Sequence, residues 1–267
     1  QKPDDLPGVY PNGGPVSRVM DIYKAAALSI DIISPDIYLP NYKEIYGMYY
    51  RKADNPLLVP ESSLDPARAF YAFAEYDAIC FSPFGIEDAA GDILFSSSYA
   101  VLNELLPVIA QFQGTGRMRG IHLNSDHQDE VMNINGYEVA IKIQDPAQPA
   151  FGLIINTSEQ EFLVSGMNFK ATFQQDSGDQ ISYIGKVTEG RFEDGKWIEM
   201  RWLNGDETYH HELLRALGRE KEVDSGFQFR ETNLDVGEGD QFVYSPGGSN
   251  TITTPGIYKV RLYQRSK

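Results

Sequence analysis

The chain has 267 residues, room for one large domain or two of ordinary size, and its 42% hydrophobic and 23% charged residues exclude a disordered or collagen-like chain. Lys plus Arg is 23 against 38 for Asp plus Glu, a net charge of −15. No basic stripe offers the cationic footprint that a nucleic acid or an anionic membrane needs, and no apolar run approaches the ~18 residues of a membrane span.

The single cysteine, Cys80, excludes an intrachain disulfide and multi-cysteine zinc or iron–sulfur sites. An aromatic content of 12% suits a β-rich or sugar-handling protein, and an ordinary core equally. The first residue is Gln1, with no signal peptide before it, so the expectation is a processed, trimmed or partial chain.

The opening QKPDDLPGVYPNGGP reads as an irregular lead-in. Ser17 is placed to cap a helix over VMDIYKAAAL, whose Val19, Ile22, Tyr23 and Ala26 follow the helical apolar spacing. A buried strand is expected at Ile30–Ser34, broken by Pro35–Asp36, then an amphipathic helix over Tyr42–Arg51. A second apolar run, Pro56–Pro60, ends at Glu61. Asp65 and Pro66 form an N-cap and N1 pair for a helix at Ala67–Tyr76. A third run, Ala78–Phe81, leads into SPFGIED, and Ser98–Phe112 reads as a long apolar helix closed by Gly114–Thr115–Gly116. Helices alternating with short apolar strands predict a parallel sheet. Three such strands with open edges would be unstable alone, so residues 1–117 read as the last part of something larger.

From residue 118 the texture changes. YEVAIKI, FGLIIN, EFLVSGMNFKATF, YIGKVTEGRF, KWIEMRWL and GIYKVRLY are strand-like. They are separated by turn signals at Asp145–Pro146, Ser177–Gly178, Asp194–Gly195, Asn204–Gly205, Gly247–Gly248 and Pro255–Gly256. This predicts an antiparallel sandwich or jelly roll over 118–267, with a hairpin at Asp194–Gly195 and a helical turn at His211–Leu217.

Glu61 follows a buried parallel strand, at the sheet edge where α/β barrels hold their active sites. A Glu stabilised by the start of the next segment explains that position as well. SPFGIED places Ser82, Phe84, Glu87 and Asp88 on the same rim, or in a solvated acidic loop. Asp36 and Tyr38 follow the first strand, so three successive strand ends carry polar or aromatic groups, which favours a site. Tyr can hydrogen-bond a carboxylate and stack under a sugar ring.

Weaker candidates are Asp126, His127, Asp129 and Glu130 as metal ligands, better read as solvated loop residues, and the adjacent His210–His211. Ser165 and Cys80 lack a local base. Asn103–Glu104 reads as a helix surface pair. No phosphate-binding Gly-rich loop is present.

GGPVSRVMDIYKAAALSIDIISPDIYLPNYKEI, NPLLVPES and AICFSPFGIED, in this order and spacing, resemble the end of a glycoside hydrolase family 35 β-galactosidase of the bacterial type with an appended β-rich domain. The resemblance implies an α/β plus all-β fold: the last three βα units of a (β/α)8 barrel over 1–117, then an antiparallel β-sandwich accessory domain over 118–267. It implies that Glu61, after the seventh strand, is the nucleophile of a double displacement, and that Tyr38, after the sixth, hydrogen-bonds it. Phe84 would wall the sugar site, and Glu87 and Asp36 would bind hydroxyls. No cofactor or metal is required. The acid/base, which should follow the fourth strand, and the first five strands would lie before Gln1. The expected partners are a galactose-containing oligosaccharide and the N-terminal portion of the same barrel, with no nucleic acid, no membrane span and room for an oligomer. The expected location is periplasmic or secreted. The rival expectation is a non-catalytic carbohydrate- or protein-binding β domain carrying a barrel remnant. It needs an aromatic platform, for which Trp197 and Trp202 are candidates. Five apart on a continuous strand, they would face opposite sides unless a bulge intervenes, and core packing is favoured for them.

Overall fold

The computed structural model describes residues 15–175, 180–203, 205, 208, 212–223 and 250–266. Helices and a small parallel sheet come first, followed by mostly antiparallel sheets; no sheet among the described residues closes into a barrel.

A 3-10 turn, Ser17–Val19, leads into α1, Met20–Ala26. Ser17 begins that turn instead of capping it, and no side chain caps either element. Of α1's residues only Met20 is buried, while Ile22 is 65% and Tyr23 43% exposed, so the apolar stripe predicted for a core faces outward.

The first strand also departs from expectation. Ile30–Ser34 has no regular secondary structure, and β1 is Asp36–Ile37. The cause is Asn55, which is fully buried. Its carboxamide oxygen accepts the Ile33 N–H at 2.9 Å, and its nitrogen donates to the Ile33 carbonyl at 2.9 Å. One side chain thus meets both backbone groups that a neighbouring strand would have paired.

Beyond β1 lie α2 (Tyr42–Tyr49), β2 (Leu58–Ser62), α3 (Pro66–Glu75) and β3 (Cys80–Pro83). The sheet order is β1-β2-β3, all parallel. Asp65 caps α3 as its sequence predicts, its carboxylate accepting the Ala67 N–H at 3.0 Å with Pro66 in the first turn. After β3 a 3-10 turn, Ile86–Ala89, precedes α4, Ile93–Phe112. Asp92 caps α4 by accepting the Phe95 N–H at 2.9 Å, so the helix starts five residues before the expected Ser98. With 20 residues α4 is long and apolar enough to cross a membrane. In the structure Val101, Leu102, Leu105 and Ile109 of that helix lie in the core shared with α3.

The remaining strands are β4 (Met118–Leu123), β5 (Asp129–Ile134), β6 (Tyr137–Ile143), β7 (Ala150–Ser158), β8 (Glu161–Met167), β9 (Phe169–Gln175), β10 (Gln180–Glu193), β11 (Lys196–Leu203), β12 (Leu214–Ala216), β13 (Arg219–Val223), β14 (Asn250–Thr254) and β15 (Gly256–Ser266). They form a six-stranded sheet, β11-β10-β15-β8-β7-β4, a four-stranded sheet, β12-β9-β6-β5, and the pair β13-β14. All pairings here are antiparallel. Phe162, Val164 and Tyr258 of the larger sheet pack with Tyr137, Val139 and Phe173 of the smaller one in a common core, as in a sandwich. The Asp194–Gly195 turn joins β10 and β11 with both residues at positive φ, 51° and 73°, the geometry a two-residue hairpin requires.

The helical turn expected at His211–Leu217 is replaced by β12 over Leu214–Ala216, where pairing with β9 overrides local preference. Residues 209–211, and with them His210–His211, lie outside the described residues, as do Ser177–Gly178 and Gly247–Gly248. Gly152 and Gly166 oppose each other across β7 and β8. A Cβ at Gly152 would sit 2.0 Å from the Ser165 carbonyl oxygen, so that close pairing requires glycine.

The helices dock on one side of this assembly. Phe70 of α3 meets Phe151 of β7 edge-on at 5.4 Å, and Ala67, Phe70, Leu105, Leu153, Leu163 and Ile257 share one core.

Candidate active site at the ends of the parallel strands

β2 and β3 do not run in even register. Val59 pairs with Phe81 and Ser62 with Pro83, so β2 holds one extra residue around Pro60 and Glu61. Pro60 has no N–H to give to the ladder, and a bulge at that point re-aims the side chain that follows. On the other side, Glu61 lies opposite Asp36 of β1. Tyr38 follows β1 directly, and its hydroxyl donates to Glu61 Oε1 at 2.6 Å.

The strand end carrying Tyr38 is tied down by its neighbours. The Ile37 carbonyl accepts from the buried Ser62 Oγ at 3.0 Å and from Arg68 Nη1 at 3.3 Å. The Tyr38 carbonyl accepts from Arg68 Nη2 at 3.4 Å. Arg68 in turn pairs with Asp65 at 3.5 Å and lies over the Tyr42 ring at 4.8 Å. Sequence reading missed Ser62 and Arg68, since a serine after a glutamate and an arginine inside a helix carry no distinguishing pattern.

Burial, then the hydrogen bond and charge of Glu61, push the Tyr38 hydroxyl up to about 12. The phenol therefore stays protonated across the physiological range and donates to a carboxylate. That hydrogen bond fixes the orientation of the Glu61 carboxylate. The Asp36 carboxyl is raised as well, first by burial and then by the charge of Glu61.

Of the predicted residues, Tyr38, Glu61 and Asp36 come together by contact or register. Phe84 is 67% exposed, and its N–H donates to the Ser62 carbonyl at 2.9 Å, one step beyond β3. Gly85, at φ 66°, turns the chain into Ile86–Ala89, where Glu87 and Asp88 are exposed. Glu87 makes no bond to Glu61 or Tyr38. Asp36 and Tyr38 also border a cavity of about 230 Å³ with Ser17, Pro35 and Met48, which does not include Glu61. A larger cavity, about 540 Å³, lies at the opposite end of the parallel sheet between Tyr50, Asp77 and Arg119, far from this chemistry.

The weaker candidates have structural occupations. Glu104 accepts the Phe192 N–H at 3.1 Å and fastens the β10–β11 hairpin to α4. The buried Ser165 Oγ donates to the Gly256 carbonyl at 3.0 Å. Asn124 Oδ1 accepts the N–H groups of Asp126 and His127 and shapes their turn. Among the described residues no group of three or more His, Cys, Asp or Glu is arranged to hold a metal. Cys80 is exposed.

No curated protein matches the chain. A family profile described as a domain of unknown function, DUF5597, matches residues 95–215, from within α4 to β12, so the chain is similar to that family over a span that excludes Tyr38 and Glu61.

Proposed function

We propose that this chain is the C-terminal portion of a retaining exo-glycosidase, most simply a β-galactosidase of the family 35 kind that acts on terminal β-galactosyl residues of oligo- or polysaccharides. In this reading β1, β2 and β3 are the sixth to eighth strands of a (β/α)8 barrel, and the antiparallel region is a jelly-roll-like accessory domain. The enzyme would act in the periplasm or outside the cell.

The observation that supports the reading is the 2.6 Å bond from Tyr38 to Glu61 at the C-terminal ends of parallel strands. A nucleophilic carboxylate must be held in a fixed aim, and the hydrogen bond from the Tyr38 phenol holds it. Glu61 attacks the anomeric carbon as the leaving oxygen is protonated, and water then releases the sugar from the glycosyl-enzyme. The acid/base belongs to the N-terminal portion of the barrel, its carboxyl group about 5–5.5 Å from that of Glu61. Asp36, carrying a raised affinity for a proton, is suited to a sugar hydroxyl beside the reacting carbon. Phe84 offers an exposed apolar wall.

The test uses the enzyme that joins this chain to its N-terminal barrel portion. A 2-deoxy-2-fluoro-β-galactoside with a good leaving group should trap the covalent intermediate, and peptide mapping should place the added mass on Glu61. A label on another carboxylate would remove Glu61 from the nucleophile role.

A further inference from the structure

α3 and α4 cover the outer face of the six-stranded sheet over β4, β7 and β8, where Met118, Leu153 and Leu163 join their core. Beyond Ile257, Phe192 and Trp197, which pack against that core, no element among the described residues covers this face over β15, β10 and β11, and two bulges decide what it carries. Between the pairs Glu189–Arg201 and Gly190–Glu199, β11 holds one extra residue, Met200. Trp202 therefore opposes Thr188 while Trp197 opposes Phe192, an even spacing on β10, so both indoles stand on one face. The second bulge, at Gly185 of β10, brings Tyr183 and Lys186 onto the same face, opposite Tyr263 and Arg261 of β15.

Trp197 borders the open region and lies against Gly190, where a Cβ would come within 2.5 Å of the indole. Trp202 stands 61% exposed. Lys186 Nζ lies 5.0 Å from the Trp202 ring centre and 3.1 Å from Glu199. Lys259 Nζ lies 5.3 Å from the Trp197 ring centre, and Arg261 pairs with Glu161 at 3.5 Å. Trp197, Lys186, Glu199, Lys259, Arg261 and Glu161 line a groove of about 180 Å³, and Trp202 with Lys186 borders a neighbouring one of about 130 Å³.

We propose that this half of the sheet is a glycan-binding face whose occupant is a polysaccharide segment bearing carboxylates, such as uronate residues. An exposed indole presents a flat apolar surface to the C–H face of a pyranose ring. The Lys186–Glu199 and Arg261–Glu161 pairs line the adjoining groove with donors and acceptors for hydroxyls. Charge selects the acidic glycan. Lys259 and Arg265, which lies on the same face, have no carboxylate partner among the described residues, so a chain of net charge −15 keeps an excess of cations here. Single-stranded nucleic acid also uses aromatics and cations, but Glu199 and Glu161 on the face and the overall negative charge oppose a polyphosphate.

The chain has two tryptophans, both on this face, so its indole fluorescence reports the site directly. The full chain would be titrated with an oligogalacturonate, a neutral galacto-oligosaccharide of equal length and an oligothymidylate. The oligogalacturonate should give a saturable change. Trp202→Ala should weaken binding about tenfold or more, followed by calorimetry, and Lys259→Gln about threefold, with both variants unfolding at the parent temperature. No saturable change, equal affinity for the neutral oligomer, a preference for oligothymidylate or undiminished binding by both variants would overturn the proposal. Binding is read without turnover, so its failure leaves the labelling of Glu61 untouched.

Discussion

β1, β2 and β3 are two, five and four residues long, and among the described residues the outer edges of β1 and β3 have no strand partner. β15, β8 and β7 are eleven, seven and nine residues long and lie in the middle of a six-stranded sheet. The antiparallel strands pack against a second sheet and close their own core. The parallel strands share a core with α3, α4 and the larger sheet, while Leu28 at 91% and Phe84 at 67% exposure stay uncovered. The proposed site lies on the less enclosed region, and the larger share of the packing on the other. A ligand at Glu61, as proposed above, would need access, and strand ends that give access cannot also be buried.

The sharpest way to break this division is Glu61→Gln in the enzyme proposed above. It should lower kcat by about 10⁴-fold or more, and near-normal turnover would leave the parallel strand ends without chemistry. Next in size, Phe70→Ala removes a fully buried ring that bridges α3 to Phe151. It should cost about 3–5 kcal/mol in urea unfolding and shift one common transition. A step in which the helices melt while the sandwich stays folded would show that the two regions stand separately. Tyr38→Phe removes one hydrogen bond to a carboxylate, worth about 1.5–3 kcal/mol, so glycosyl-enzyme formation should slow about 10- to 100-fold with the fold intact. Asp65→Ala removes the α3 cap and one partner of Arg68, and should cost about 1 kcal/mol in thermal unfolding.

The last prediction concerns the junction of the regions. His122 of β4 lies against the Tyr42 hydroxyl, with Lys43 Nζ donating to its carbonyl at 3.2 Å. Burial holds its imidazole below the ordinary histidine range, the nearby Lys43 and Arg68 add to that, and Asp65 opposes it. A group depressed in the folded state binds its proton more tightly when unfolded. Its contribution is therefore present above the ordinary histidine range and is lost as pH falls through it. His122→Gln should flatten that acid limb of a stability–pH curve, and an unchanged limb would place the titration elsewhere.

Much of this was legible in the residues. Asp65–Pro66 announced α3 because capping is local chemistry. Asp194–Gly195 announced a hairpin because its turn needs positive φ. The alternation after residue 118 announced antiparallel strands because one face of each is buried. Glu61 and Tyr38 stood out as polar groups at the ends of apolar runs. Their hydrogen bond was expected from resemblance alone, since it joins residues 23 apart through the register of β1 and β2. The strand start is not legible at Ile30–Ser34 because a side chain, Asn55, stands in for a strand neighbour at Ile33.

The sequence by itself determined what short-range physics controls: helix starts, turns, strand periodicity and the acidic charge. Only the tertiary structure decided the outcomes that depend on register between distant strands. The bulge at Pro60–Glu61 aims a carboxylate, and the bulge at Met200 puts Trp197 and Trp202 on one face. A single extra residue on one strand reverses which face every later side chain takes. Whether that residue is accommodated as a bulge is settled by the partner strand and not by its own neighbours in the chain.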